Sequence, residues 1–372
     1  MKISSARFHT LAIPLRAPLR TARWTLHHRD VLIVELQAED GTCGYGESPA
    51  FSTDWYLPET LGEDEKIMPA LIDAIRGHDI RDPREADTLL NAVPGAPSLP
   101  MARASIEMAV WDICARQAGM SLARYCGFRS ESAPGGIVIP LMNPKEMREI
   151  AGRAVADGYE RIKIKIAHSD DIAYISHLRQ HYPHIALILD ANGAFEEQDF
   201  RRIIADIDAL GCVCIEEPIA RRIGESPADF YARLARLQAD MHTPICLDES
   251  WVDERELRLA LTHEALKCVV IKIGKLGGIA PALRLLDDAH TRGVGVWMGG
   301  MFETGISKAV HGALSLHPAN IAPGDISGSS RYFMRDICDP VFELDSGYLA
   351  LDRLGIGFVL NGEFATALRA SR

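Results

Sequence analysis

Short apolar runs separated by longer amphipathic stretches fill the middle of the chain. The runs at residues 162–166, 185–190, 213–216, 244–248 and 269–272 read as strands buried on both faces. Apolar residues at three- and four-residue spacing predict helices at about 144–157, 170–182, 196–210, 226–240, 253–263, 279–292 and 305–316. Strand-like segments starting near Gly136, at 294–298 and near 320–322 complete the series. Regular alternation of strand and helix predicts a parallel sheet closed into a β/α barrel. Ahead of it, residues 3–13 and 31–36 are strand-like, and Glu39, Asp40 and Gly41 make a turn into a further strand at 42–45. From Pro58 to Gly127 the pattern is helical, and the segment 101–116 is expected to bury one face. Strand-like pieces at 341–344 and 358–360 lie in a tail expected to return to the N-terminal part. The predicted organisation is an α+β domain over 1–130, completed by 325–372, and a barrel over 131–324.

Five charged residues stand at the ends of successive runs: Lys165, Asp190, Glu216, Asp248 and Lys272. Their numbers differ by 25, 26, 32 and 24, about one strand plus its crossover helix. Charged groups at the C-terminal tips of successive strands are the way such a barrel builds an active site. Asp190, Glu216 and Asp248 would converge at one mouth, where three carboxylates without a cation repel one another. A hard divalent ion resolves the repulsion, and all-oxygen donors suit Mg²⁺, with Mn²⁺ as the alternative. The absence of His and Cys at these tips argues against zinc. Glu217 and Glu249 adjoin two of the candidates, and only one of each pair should face the metal. Lys163 and Lys165 share one face of their strand. Two ammonium groups inside a barrel require anionic partners, which the acids and a carboxylate substrate supply, or one of them must lose its proton, which would suit Lys165 as a base. Lys272 ends the sixth strand, across the barrel from Lys165. Lys275 is expected to cap or to face solvent, and Gly274, Gly277 and Gly278 to form a loop near substrate or a plain strand-to-helix turn.

The chain has 372 residues, enough for a barrel and a smaller unit, and carries a formal charge of −11 with no long basic run, which disfavours nucleic acid and anionic membranes as partners. No stretch approaches the roughly 20 apolar residues of a membrane span, and the first twenty residues lack a signal-like apolar core. Eight cysteines without paired metal-ligand spacing are expected to be reduced. A cytoplasmic, homo-oligomeric enzyme acting on a small-molecule carboxylate is expected.

These motifs resemble the enolase superfamily, muconate lactonizing enzyme subgroup, over nearly the whole chain. The resemblance rests on Lys163-Ile-Lys165, Asp190-Ala-Asn192, Ile215-Glu216-Glu217-Pro218, Leu247-Asp248-Glu249-Ser250 and the stretch from Ile271 through Lys272 to Gly278. Within the subgroup the stretches 47–56, 299–306 and 323–332 are most similar to o-succinylbenzoate synthases and N-acylamino acid (N-succinylamino acid) racemases. The resemblance implies a modified TIM barrel, (β/α)₇β, under an α+β capping domain drawn from both termini. It implies Mg²⁺ on Asp190, Glu216 and Asp248, and Lys165 as a base assisted by Lys163. Lys272 would be the opposite-face acid/base of a racemase or the stabilising cation of a synthase. It further implies Asn192 behind the metal ligands, Glu303 on the rim after strand seven, and Phe51 and Trp24 in a lid over substrate. The implied reaction removes the proton α to a carboxylate through an enediolate, giving o-succinylbenzoate by dehydration or racemising N-acylamino acids. Muconate-type cycloisomerase and dipeptide epimerase are the alternatives, and a non-catalytic binder of acidic metabolites ranks below them. Three departures bear on the substrate. Val138 or a neighbour stands where a small hydroxyl is usual, Glu217 replaces Gln, and Arg20 or Arg23 could pair with a second substrate carboxylate.

Overall fold

A computed structural model describes residues 1–20 and 25–370, with side chains described over 1–18 and 25–368. Three antiparallel strands open the chain: β1 (Ile3–Arg20), β2 (Thr25–Ala38) and β3 (Cys43–Ser48), paired in the order β1-β2-β3. Gly41 turns β2 into β3 at φ 87°, a conformation glycine adopts without penalty. Both long strands run further than the apolar alternation predicts, because they extend each other's ladder as far as Arg20 and Thr25.

Four helices follow: α1 (Leu61–Ile75), α2 (Arg84–Asn91), α3 (Pro100–Gln117) and α4 (Leu122–Tyr125). Helix α3 does not bury one face, as expected, but every residue from Met101 to Ala115. It is wedged between the sheet and the barrel. A Cβ on Gly46 of β3 would lie 1.8 Å from the Ser105 carbonyl oxygen, so only glycine lets strand and helix approach this closely.

After β4 (Ser132–Pro134) come the barrel strands β5 (Gly136–Ile139), β6 (Arg161–Lys165), β7 (Ala186–Asp190), β8 (Cys214–Glu216), β9 (Ile245–Leu247), β10 (Cys268–Ile271) and β11 (Gly295–Met298), parallel and paired in sequence order. Helices α5 (Pro144–Ala156), α6 (Asp171–His181), α7 (Glu197–Ala209), α8 (Pro227–Ala239), α9 (Glu254–Thr262), the short α10 (Ile273–Leu276), α11 (Ile279–Arg292) and α12 (Gly305–Leu314) follow strands in turn. The eighth strand expected near 320–322 is reduced to two parallel bridges, Val296 with Asn320 and Gly135 with Gly324, and these close the ring. Arg161 clamps the seam. Fully buried, it donates to Pro323 O at 2.8 Å, Ile137 O at 3.1 Å and Asp325 Oδ1 at 2.6 Å.

The tail carries β12 (Cys338–Asp339), β13 (Tyr348–Ala350), β14 (Val359–Leu360) and α13 (Gly362–Ala370). The segment 341–344 is not a strand, because Asp336 takes the Phe342 N–H and Ser329 donates to the Phe342 carbonyl, leaving its backbone satisfied by a loop. Helix α13 has no counterpart in the sequence pattern as read. The tail touches the N-terminal part in several places: Arg16 N–H donates to Tyr332 O, Met334 N–H to Pro14 O, and Ile356 N–H to Asp112.

Buried carboxylates from the N-terminal part sit on barrel helices. Glu107 of α3 accepts from Ile279 N at 2.7 Å and Ala280 N at 2.8 Å, the first turn of α11, and from Trp111 Nε1 at 2.6 Å. Glu47 of β3 accepts from Thr304 N at 2.9 Å and Ser307 N at 3.2 Å at the start of α12. Each supplies acceptor oxygens to the unpaired N–H groups of a helix start. Of the two expectations for Gly274, Gly277 and Gly278, they form the turn between strand and helix, and it packs on the N-terminal part: a Cβ on Gly278, at φ 135°, would lie 2.4 Å from Glu107 Oε2. Glu107→Ala strands two helix N–H groups and an indole N–H in the interior, and the expected loss is on the order of 3–5 kcal/mol. Glu107→Gln, which keeps one acceptor oxygen, is expected to lose less than half of that. Denaturant midpoints of the two variants check the order.

Candidate active site

Strand alternation sets the site. In β6, Ile162 and Ile164 pack outward, fully buried, while Lys163 and Lys165 point inward. Lys163 Nζ lies 3.0 Å from Asp190 Oδ2, 3.1 Å from Glu216 Oε2 and 3.7 Å from Asp325 Oδ2, and 4.8 Å from the Trp297 ring centroid. Burial works against its charge, but the carboxylates of Asp190 and Glu216 outweigh it and hold its pKa well above the ordinary lysine value. Lys165 is more open. Its Nζ donates to Asp190 Oδ2 and Asn192 Oδ1, both at 2.5 Å. Asp190 is thereby kept below the usual carboxylate range, the two lysines overcoming its burial.

Asn192 takes the left-handed conformation at φ 44°, which its short polar side chain tolerates. Its backbone N–H returns to Asp190 Oδ1 at 3.1 Å and its Nδ2 reaches Glu249 Oε1 at 2.7 Å, so it ties two carboxylates together. Glu216, at the tip of β8, is 1% exposed, and burial followed by the charge of Asp190 pushes its pKa well up. Oxygens of Glu216, Asp248 and Glu249 all lie within 4.8 Å of one another. Asp190, Glu216 and Asp248, grouped in the sequence, each touch a lysine, and Glu249 joins Glu216 and Asp248 at short range. Glu249 Oε2 is buried without a partner among the described residues. Burial, then Asp248 and Asp190, raise its pKa. Glu217 turns away at φ 45° and braces the next loop, accepting from Asp248 N at 2.7 Å and from the backbone N–H and hydroxyl of Ser250.

On the opposite side, Lys272 Nζ donates to Asp248 Oδ2 at 2.5 Å and to Tyr56 Oη at 2.6 Å, and Tyr56 Oη donates to Asp248 Oδ1 at 3.0 Å. The second and sixth strands of an eight-stranded ring face each other, so Lys165 and Lys272 flank the carboxylates. Burial opposes the charge of Lys272, and Asp248 overcomes it, raising its pKa. Phe51 is buried, with Arg29 4.2 Å above its ring and Trp55 4.8 Å away. Glu303, 2% exposed after β11, accepts from Met301 N at 2.6 Å. Trp24 and Arg23, and the side chain of Arg20, lie outside the described residues.

Lys275 corrects an expectation. It does not face solvent. The α10 turn folds it back so that Nζ donates to the Asp248 carbonyl at 2.5 Å and lies 3.7 Å from the Trp251 ring centroid. Tyr56, Asp325 and the free oxygen of Glu249 were also missed. For Asp325 a signal existed, since it follows Met298 by one more strand-plus-helix interval. Tyr56, which comes from outside the barrel, ends the stretch 47–56 that carries the resemblance, but no periodicity singles it out.

Fold and site together define a β/α-barrel enzyme built for acid–base chemistry beside a carboxylate cluster. The domain family described as enolase C-terminal domain-like matches residues 146–364, and the mandelate racemase / muconate lactonizing enzyme N-terminal domain matches 4–127. An o-succinylbenzoate synthase of Bacillus subtilis (strain 168) is 34% identical over 97% of this chain and 95% of its own. An N-succinylamino acid racemase of Amycolatopsis sp is 32% identical over 94% and 92%. The crystal structure of an enolase-superfamily member from Listeria innocua Clip11262 superposes with a TM-score of 0.88 at 33% identity, covering 99% of this chain and 96% of the other. The chain belongs to the enolase superfamily, in its mandelate racemase / muconate lactonizing enzyme group.

Burial lowers the Lys275 pKa to about 8, against the pull of Asp248. An unfolded lysine holds its proton to about pH 10.4. Between these values the unfolded chain binds the extra proton, so stability rises with pH. Relative to Lys275→Met, the wild type is expected to gain roughly 2–3 kcal/mol between pH 8 and 10.5. Denaturation midpoints of both proteins across that window check the slope.

Proposed function

We propose that this protein removes the proton α to a substrate carboxylate, with Lys165 as the base, and that the outcome is dehydration to o-succinylbenzoate, racemisation of N-succinylamino acids, or both. The observation that carries the reading is the pair of amines, Lys165 and Lys272, facing one another across a cluster of buried carboxylates. The family's use of Mg²⁺ fits the donor set, which is all oxygen and includes the partnerless buried oxygen of Glu249. Asp190, Glu216 and Asp248 would hold the ion. When bound it supplies positive charge to offset the negative charge that develops on the substrate carboxylate.

Lys165 Nζ accepts the α-proton on one face, with Lys163 fixing Asp190 beside it. In racemisation Lys272 delivers a proton to the opposite face. In dehydration the proton passes from the α-carbon to Lys165 and on to the departing hydroxyl, which leaves as water, while Lys272 serves as a fixed cation. Phe51, Trp24, Asn192 and Glu303 would border the substrate. In this reading 1–130 with 325–372 forms the cap over a barrel at 131–324, and the enzyme works as a homo-oligomer in the cytoplasm, where the unbridged thiols of Cys214, Cys246 and Cys268 stay reduced.

Exchange of the substrate α-proton with D₂O tests the base. Lys165→Ala is expected to lose at least 10²–10⁴-fold of exchange, about the contribution of a positioned base. Lys272→Ala is expected to spare exchange of one enantiomer of an N-succinylamino acid. Full turnover in the Lys165 variant removes it from the base role. Mg²⁺ is expected to raise the melting temperature, by about 2.7 kcal/mol of stabilisation at a hundredfold excess over Kd, and Glu216→Gln to abolish the shift. Product analysis on N-succinylamino acids and on the hydroxycyclohexadiene carboxylate precursor then separates the two outcomes.

A further inference from the structure

Side chains two apart on a strand share a side, so each charged tip has a residue directly beneath it in the barrel interior. Beneath Glu216 is Cys214, beneath Asp248 is Cys246, and two pleats beneath Lys272 is Cys268. The three come from adjacent strands, with Cys268 directly opposite Cys246 in the ladder. All three are fully buried, and their sulfurs lie within 4.8 Å of one another. Barrel interiors are ordinarily filled here by bulky branched side chains. The surroundings are Ile188, Val270, Trp297 and Ala322, and the Trp297 indole N–H donates to Cys246 Sγ at 3.4 Å.

Three sulfurs without an oxygen or nitrogen ligand in the group select a soft, thiophilic centre. Charge narrows the choice. A divalent ion held by three thiolates leaves one net negative charge in an apolar enclosure, a cost of several kcal/mol in the absence of a partner. A trivalent centre on three thiolates is neutral. We infer that Cys214, Cys246 and Cys268 form a trithiol site, one pleat below the carboxylates, for a trivalent thiophilic centre such as arsenic(III). Arsenous acid, small and uncharged at neutral pH, brings no charge into the interior. Its three As–O bonds and three S–H bonds break, three As–S bonds and three O–H bonds form, and three waters leave with no change of oxidation state.

The test uses the full chain and arsenous acid, added both to native protein and during refolding. After gel filtration one arsenic per chain is expected, with three sulfur neighbours and no oxygen at the arsenic X-ray absorption edge. Cys246→Ala is expected to bind at least about tenfold more weakly, and Cys126→Ser, elsewhere in the fold, as the wild type does. Should Cys246→Ala fail to fold, Cys268→Ser takes its place, and the wild-type absorption spectrum decides alone. No stoichiometric arsenic by either route, fewer than three sulfur neighbours, or undiminished binding in Cys246→Ala overturns the assignment.

Discussion

The structure depends on how charge is balanced at the mouth of the barrel. Six carboxyl groups meet there, those of Asp190, Glu216, Glu217, Asp248, Glu249 and Asp325. Five cations oppose them, Lys163, Lys165, Lys272, Lys275 and Arg161. With every group ionised the formal sum is −6 + 5 = −1. A divalent cation and one substrate carboxylate add +2 − 1 and bring it to zero. Groups this deeply buried tolerate little imbalance. Burial, followed by the charge of Asp190, raises Glu216 although Lys163 touches it, and burial raises Glu249, whereas the charges of several lysines overcome burial at Asp190 and at Asp248 and drive them the other way.

The N-terminal part packs on this barrel, with α3 and β3 against its helices. Buried acids at helix starts join it to the barrel, beside the ion pair of Arg284 on α11 with Asp87 on α2. Glu107 and Glu47 bind the first turns of α11 and α12, while Glu59 braces the start of α3 within the N-terminal part itself through Met101 N and Ala102 N. Their partners are backbone N–H groups that every sequence supplies, so the geometry is fixed by helix direction alone. The contact reaches the chemistry: Lys272, the α10 turn with Lys275, and Gly278 against Glu107 lie within one short stretch, and Tyr56 from the N-terminal part closes on Lys272 and Asp248.

Much of this was legible in the sequence. The barrel strands and their helices follow from hydrophobic periodicity, and the charged tips follow from their interval, because a parallel barrel imposes one repeat on both. The eighth strand was harder to read since it survives only as two bridges at Asn320 and Gly324. Asp325, one residue beyond, was lost with it. What periodicity cannot carry is contact between distant segments. Tyr56 meets Asp248 across 192 positions. Lys275 looks solvent-facing until its turn is seen to fold under Asp248. Helix α3 shows an amphipathic spacing, yet a second layer covers the face that would otherwise be wet. Glu249 was set aside by the rule that successive strand side chains face opposite ways; that rule lapses at a strand end, and β9 stops at Leu247.

The choice between proton delivery and elimination turns on Lys272. An amine works as a two-way acid and base only if its neutral form is within reach, whereas elimination asks only for a fixed positive charge. Asp248 at 2.5 Å, with Glu249 and Glu216 behind it, holds the proton on Lys272 despite full burial. Asp248 and Glu216 are among the residues proposed to hold a cation, and Glu249 lies within 4.8 Å of both. Charge that they shared with a bound ion would be charge withdrawn from Lys272. Under the proposed reaction the two outcomes would need no different set of residues, only a different division of the Asp248 charge between Lys272 and a bound ion, and Tyr56, which bonds to both Lys272 and Asp248, is the neighbour that division would pass.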